Sequence, residues 1–112
     1  MDFSLSEDQL SMVDATRRFL ESEYPYPLRG NPADANTARA RWTALADMGL
    51  LGLGLDARWG GSGFGMVDLA LLAREMGRCH AGEGVLASVV LGGRLLQRAG
   101  DERHCQPWLT RV

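Results

Sequence analysis

The chain has 112 residues, 46% of them hydrophobic, and a formal net charge of −2. It fits one domain burying roughly two thirds of its unfolded surface, with little room for two substrate-binding lobes. Its twelve basic residues, all arginine, against fourteen acidic ones give no basic field for a phosphate backbone, which sets aside a helix-turn-helix DNA reader and nucleic-acid partners in general.

No window approaches the ~18 apolar residues that cross a bilayer, and the amino terminus opens with Asp2, Glu7 and Asp8 instead of a basic then apolar leader. No membrane partner is expected. The chain is placed in the cytoplasm, with Cys79 and Cys105 as thiols.

In chain order, Ser6 with Gln9 has the form of a capping box flanked by Leu5 and Leu10 as a hydrophobic staple, so the first helix starts there. Leu10, Val13, Arg17 and Leu20 define one face, with Met12 and Phe19 alongside, until Pro25 and Pro27 stop the run. A loop runs from Pro25 to Ala35. The second helix, from about Asn36 to Met48, turns Trp42, Leu45, Ala46 and Gly49 to one side and ends where Gly49 can adopt the left-handed conformation. Leu50, Leu51, Leu53 and Leu55 follow among glycines and should tuck inward, and Gly60 to Gly65 make a tight turn.

A third helix from about Met66 carries Leu69, Leu72, Ala73 and Met76 at helical spacing, with Val67, Ala70 and Leu71 apolar on its other side. The fourth, from about Gly82 to Arg98, is apolar nearly all round, as expected of a central helix enclosed by neighbours. Gly92 and Gly93 inside it each cost about 1 kcal/mol relative to alanine, which implies close approach by a neighbour, read as another helix. Gly100 and Asp101 end it and cap a fifth helix carrying Trp108 and Leu109. The fold class is all-α, an up-and-down bundle of about five helices.

Several constellations point to chemistry without completing it. GLLGLG and GGSGFG lack the dinucleotide spacing between a strand and a helix, no GxxxxGK loop occurs, and both read as turns. Cys79-His80 and His104-Cys105 hold two thiols and two imidazoles, but adjacent helical residues point about 100° apart and the CxxC and HxxxH spacings are missing, so no metal is assigned. A Cys–His nucleophile also needs an orienting partner and a cleft, and no catalytic residue is assigned. Glu75, beside Arg74 and Arg78, and Glu83 read as solvated surface or local ion pairs, the alternative being a base of raised pKa. Met12, Met48, Met66 and Met76 read as core filler.

The segments MGLLGLGL, RWGGSGFG, LAREMGR and RAGDE, in this order and over nearly the whole chain, resemble the amino-terminal helical domain of the flavin-dependent acyl-CoA dehydrogenases. At Trp59 the family more often has tyrosine. The LASVVLGGRLLQRAG wording is most similar to the small-subunit branch resembling pimeloyl-CoA dehydrogenase. The resemblance implies that residues 1–112 form a single helical domain, the amino-terminal fragment of a three-domain flavoenzyme that removes an α proton from an acyl-CoA thioester and passes a β hydride to FAD. It also implies that the FAD and the glutamate base belong to the two other domains, so no cofactor-binding residue is assigned here and the chain alone should bind no FAD and be inactive.

Within such a domain, the resemblance assigns the helix reading VLASVVLGG to a wall of the acyl pocket. Leu86, Ala87, Val90 and Leu91 are the candidate substrate-lining residues, a dry apolar set suited to a hydrocarbon tail; ordinary core packing is the alternative reading. The partners implied are the acyl-CoA substrate, the remaining domains, and further copies or dehydrogenase subunits in a homo-oligomer or mixed assembly. Deprived of those domains, the chain should self-associate through the helix from Gly82 to Arg98. A free-standing helical interaction module is the competing class.

Overall fold

The computed structural model describes residues 1–26, 29–82 and 84–111; the expected stop at Pro27 and the carboxylate of Glu83 lie outside them. Helix α1 spans Glu7–Glu23, α2 Ala35–Asp47, α3 Met66–Arg78, α4 Arg94–Ala99 and α5 Glu102–Leu109. A single 3₁₀ turn, Ala57–Trp59, lies in the loop before α3, and a π-helical segment, Leu86–Gly93, leads directly into α4. No strand occurs among the described residues, as the all-α expectation requires. The molecule is a slab of 44 × 42 × 19 Å. Its thin dimension is about two helix diameters, so helices have an outer face with no neighbour above it.

The capping box at the start of α1 is formed: Gln9 N donates to Ser6 Oγ at 3.2 Å and Ser6 N to Gln9 Oε1 at 3.0 Å. Gln9 also reaches across to α3, donating through Nε2 to Asp68 Oδ1 at 2.9 Å, while Asp68 Oδ2 accepts from Gly65 N at 2.9 Å. One glutamine thus ties the first turns of two helices together. Arg17 on α1 meets Glu75 on α3 one helical stretch later, so α1 and α3 run parallel in a fixed register. The buried stripe of α1 is Val13, Thr16 and Leu20, whereas Leu10, expected on that face, is exposed. It lies outside the angular range of the 13/16/20 row.

Helix α2 ends as Gly49 dictates. Gly49 has φ 76°, its N–H donates to Ala46 O, and Leu50 N donates back to Leu45 O, which together form a Schellman motif. The chain then turns inward, and Leu50, Leu51, Leu53 and Leu55 are all buried. The second glycine turn closes over them through Ser62 N to Gly52 O, Gly63 N to Leu55 O and Phe64 N to Leu53 O. Gly61 is the tightest point: a Cβ there would stand 2.1 Å from the Leu55 carbonyl oxygen.

Two hydrophobic clusters result. The larger gathers Leu20, Tyr24, Leu45, Leu50, Leu72 and Val89 with their neighbours, drawing on α1, α2, α3, the loop and the π-helical segment. The smaller one holds Leu55, Trp59, Cys105 and Leu109, with Leu96 against it. Of the four methionines expected as filler, Met12 and Met76 pack with the core, but Met48 and Met66 are exposed because they sit at the ends of α2 and α3.

The fourth helical run departs from expectation in two ways. At its glycine pair the close neighbour is the glycine-rich loop and not a helix: a Cβ on Gly93 would sit 3.5 Å from Leu55 Cδ2, Arg94 Nη1 donates to Gly54 O at 3.1 Å, and Asp56 N donates to Gln97 Oε1 at 2.8 Å. Nor is it enclosed. Leu86, Leu91 and Leu95 are 61%, 62% and 68% exposed, since nothing in the slab covers their side. Asp101 caps α5 as expected, accepting from His104 N; Leu109 is buried and Trp108 exposed. No described helix is long and apolar enough to cross a membrane.

Candidate functional site

An apolar groove of about 320 Å³ opens between α3 and the segment from Ala81 to Val90. Leu69, Leu72, Ala73 and Met76 form one side, and Val85, Leu86 and Val90 the other. The α3 side follows from the i, i+3, i+4, i+7 spacing of those four residues, which puts them on one helix face. Gly77 and Gly82 widen the groove, as a Cβ on either would meet nothing within 4 Å.

The four sequence-assigned lining residues divide. Leu86 and Val90 are brought together on the groove, while Ala87 and Leu91 lie on the open surface beside it. The i, i+4 spacing accounts for the split: Leu86 and Val90 share one face of the run, Ala87 and Leu91 share the next, and Val85 and Val89 face the core. The α3 residues of the groove were visible in the sequence as a helical face, but an apolar face by itself does not distinguish a cleft wall from core.

Glu75 sits one helical position from Met76 and is a lock rather than a base. Its carboxylate is 1% exposed and accepts from Arg17 Nε and Nη2 at 3.0 Å each, from Arg74 Nε at 3.2 Å and from Arg78 Nη1 at 3.1 Å. Hydrogen bonding from Arg17, opposed by burial and reinforced by Arg74 and Arg78, holds its pKa down at about 2. The raised-pKa alternative is therefore overturned, as is solvated surface. The ion-pair reading holds, with a third arginine from α1 that no local spacing announces. A carboxylate so fully occupied cannot accept a substrate proton near neutrality.

The cysteine–histidine pairs are not brought together. Cys79 is buried in the larger cluster and Cys105 in the smaller, where its Sγ donates to Leu96 O at 3.2 Å. His80 is exposed, and His104 Nδ1 pairs with Asp101 Oδ1 at 2.6 Å. No group of three or more His, Cys, Asp or Glu placed to hold a metal occurs among the described residues.

With this geometry in place, comparison with known proteins is specific. Residues 6–112 match the family profile described as acyl-CoA dehydrogenase, N-terminal domain. The chain is 25% identical over 113 aligned positions to an acryloyl-CoA reductase (NADH) of Anaerotignum propionicum, covering 100% of this chain and 29% of that protein. It is 32% identical over 74 residues to the acyl-CoA dehydrogenase FadE12 of Mycobacterium tuberculosis H37Rv, covering 63% of this chain and 19% of the relative, and equally so to its Mycobacterium bovis counterpart. The chain thus spans under a third of the length of these relatives. No solved structure matches it significantly. With its all-helical fold and a profile match over nearly its whole length, the chain belongs to the acyl-CoA dehydrogenase family, as the amino-terminal domain.

Proposed function

We propose that this domain supplies one wall of the acyl-binding cleft in an FAD-dependent enzyme that carries out α,β-dehydrogenation of an acyl-CoA thioester. The observation that carries the reading is the apolar surface running from the groove, through Leu86 and Val90, onto the uncovered Leu91. A hydrocarbon tail laid along it would lose water at about 0.8 kcal/mol per buried methylene. The wall's own work is to bind the tail, orient it and exclude water.

The described residues do not fit a flavin site by themselves. The glycine-rich loops that might have cradled a pyrophosphate direct Leu53 N, Leu55 N, Ser62 N, Gly63 N and Phe64 N to carbonyls of the same loops. No chemical step is therefore assigned to this chain, and alone it is expected to be colourless and inactive. The same reading puts the working enzyme in the cytoplasm, as a homo-oligomer or a mixed assembly of dehydrogenase subunits.

The test uses the product of the full open reading frame around this sequence. Anaerobic addition of octanoyl-CoA should bleach the bound flavin. A purified product without flavin, or one whose flavin is unaffected by acyl-CoA thioesters, would overturn the reading and favour the free-standing interaction module, for which the exposed Leu86, Leu91 and Leu95 would be the contact surface.

A further inference from the structure

A second pocket, of about 340 Å³, lies where the end of α1, the loop before α2, α2 itself and the turn after α3 meet. Tyr24, Asn31, Pro32, Ala38, Arg41 and His80 line it, with alanine and glycine between them. Among the described residues it shares only Gly82 with the apolar groove. Its lining comes from four segments of this chain, so its chemistry is read without reference to another domain.

Two lining residues carry a cost. Tyr24 is 6% exposed, and its phenolic oxygen is buried with no hydrogen-bond partner among the described residues. A buried hydroxyl is nearly always satisfied by protein, water or a ligand, because leaving it bare forfeits its hydration. His80, with φ 52°, is the one non-glycine residue of positive φ among the described residues. It closes α3 in a Schellman arrangement, its N–H donating to Gly77 O and Ala81 N–H to Met76 O, at the position where glycine is usual. Such strain is of the kind retained where the side chain has a use.

The polar part of the lining is rich in donors. Arg41 lies 3.9 Å over the Tyr24 ring, pairs with Glu23 Oε2 at 3.5 Å and donates to the Glu23 carbonyl, so its guanidinium is held in place beside the pocket. Arg29 Nε donates to the Tyr24 carbonyl at 2.9 Å and keeps a second positive charge close by. The Asn31 amide and the His80 ring add N–H groups. No acidic side chain is among the described lining residues, and neighbouring Asp34 is occupied in capping α2, accepting from Asn36 N, Thr37 N and Thr37 Oγ1. Pro32, Ala33 and Ala38 give the same pocket an apolar side.

From this combination we infer that the pocket binds a small organic carboxylate, at a site separate from the acyl cleft. The carboxylate oxygens are taken by Arg41, His80 and the Tyr24 hydroxyl, and the hydrocarbon body lies against Pro32, Ala33 and Ala38. Charge-assisted hydrogen bonds from a guanidinium suit a carboxylate. An inorganic phosphate would use the donors and leave the apolar side unused.

The experiment titrates the product of the full open reading frame calorimetrically with sodium benzoate, and in a second arm with sodium phosphate. Because it reads binding and not turnover, its outcome is independent of the dehydrogenase activity proposed above. Benzoate is expected to bind with a Kd of about 1 mM or below, and phosphate at least about tenfold more weakly. Tyr24→Phe, which keeps the ring under Arg41 and removes only the hydroxyl, should weaken benzoate about tenfold. His80→Gly, which relieves the left-handed strain, should weaken it about fivefold without lowering the unfolding temperature. No saturable benzoate binding below about 20 mM, phosphate bound as tightly as benzoate, or a benzoate affinity that survives Tyr24→Phe or His80→Gly unchanged would overturn the inference.

Discussion

The pair α1–α3 and the more apolar run from Leu86 to Ala99 are held differently. Between α1 and α3 the register is fixed at two polar points, Gln9–Asp68 and Arg17–Glu75, with Leu20, Leu69 and Leu72 buried near them. The later run is tied to the loop on its inner side by Arg94 and Gln97, and its outer leucines face water. The lesson is that a helix apolar on every side is not thereby a core helix. Where its own chain leaves one face uncovered, that face is available to substrate or to another domain.

Substitutions can break this comparison. The largest effect is expected at Gly61, in the loop on which the later run packs: Gly61→Ala puts a methyl 2.1 Å from the Leu55 carbonyl oxygen, and the loop must move, at a cost of about 3 kcal/mol or more by chemical denaturation. A similar loss, about 3 kcal/mol, is expected for Leu72→Ala, which opens a cavity in the larger cluster. Wild-type stability for Gly61→Ala would show that the glycine turn does not fix the fold.

Glu75→Gln should cost about 2 kcal/mol at pH 7, moderated because the three arginines are 40–51% exposed and can turn to water. The folded-state pKa lies at about 2, below the ordinary 4.5, so the stabilisation is complete above pH 4.5 and is lost as pH falls toward 2. Over that window the wild type should lose on the order of 2–3 kcal/mol more than the glutamine variant. Parallel acid-unfolding profiles would refute the lock.

Much of this fold is legible in the sequence because its signals are local. The Ser6–Gln9 box, the Gly49 stop, the inward leucines and the Asp101 cap each depend on residues within a few positions, and each forms. What could not be read is long-range. Arg17 is 58 positions from Glu75, and Gly93 meets Leu55 across about 40, so neither pairing has a periodicity to announce it. Leu86 and Val90 were named as lining residues through family resemblance, but their separation from Ala87 and Leu91 depends on which face of the run turns toward α3, which a run as uniformly apolar as LASVVLGG does not signal.

The smallest effect on folding is expected on the outer face, and there the central claim is most exposed to test. Leu91→Asp should change the unfolding free energy of the 112-residue chain by less than about 0.5 kcal/mol, since the side chain is 62% exposed. In the full flavoenzyme the same substitution should lower kcat/KM for octanoyl-CoA at least about tenfold, chiefly through KM, by placing a charge against the tail. A chain destabilised as much as by Leu72→Ala, or a full enzyme indifferent to the change, would contradict the assignment of this face to the acyl cleft.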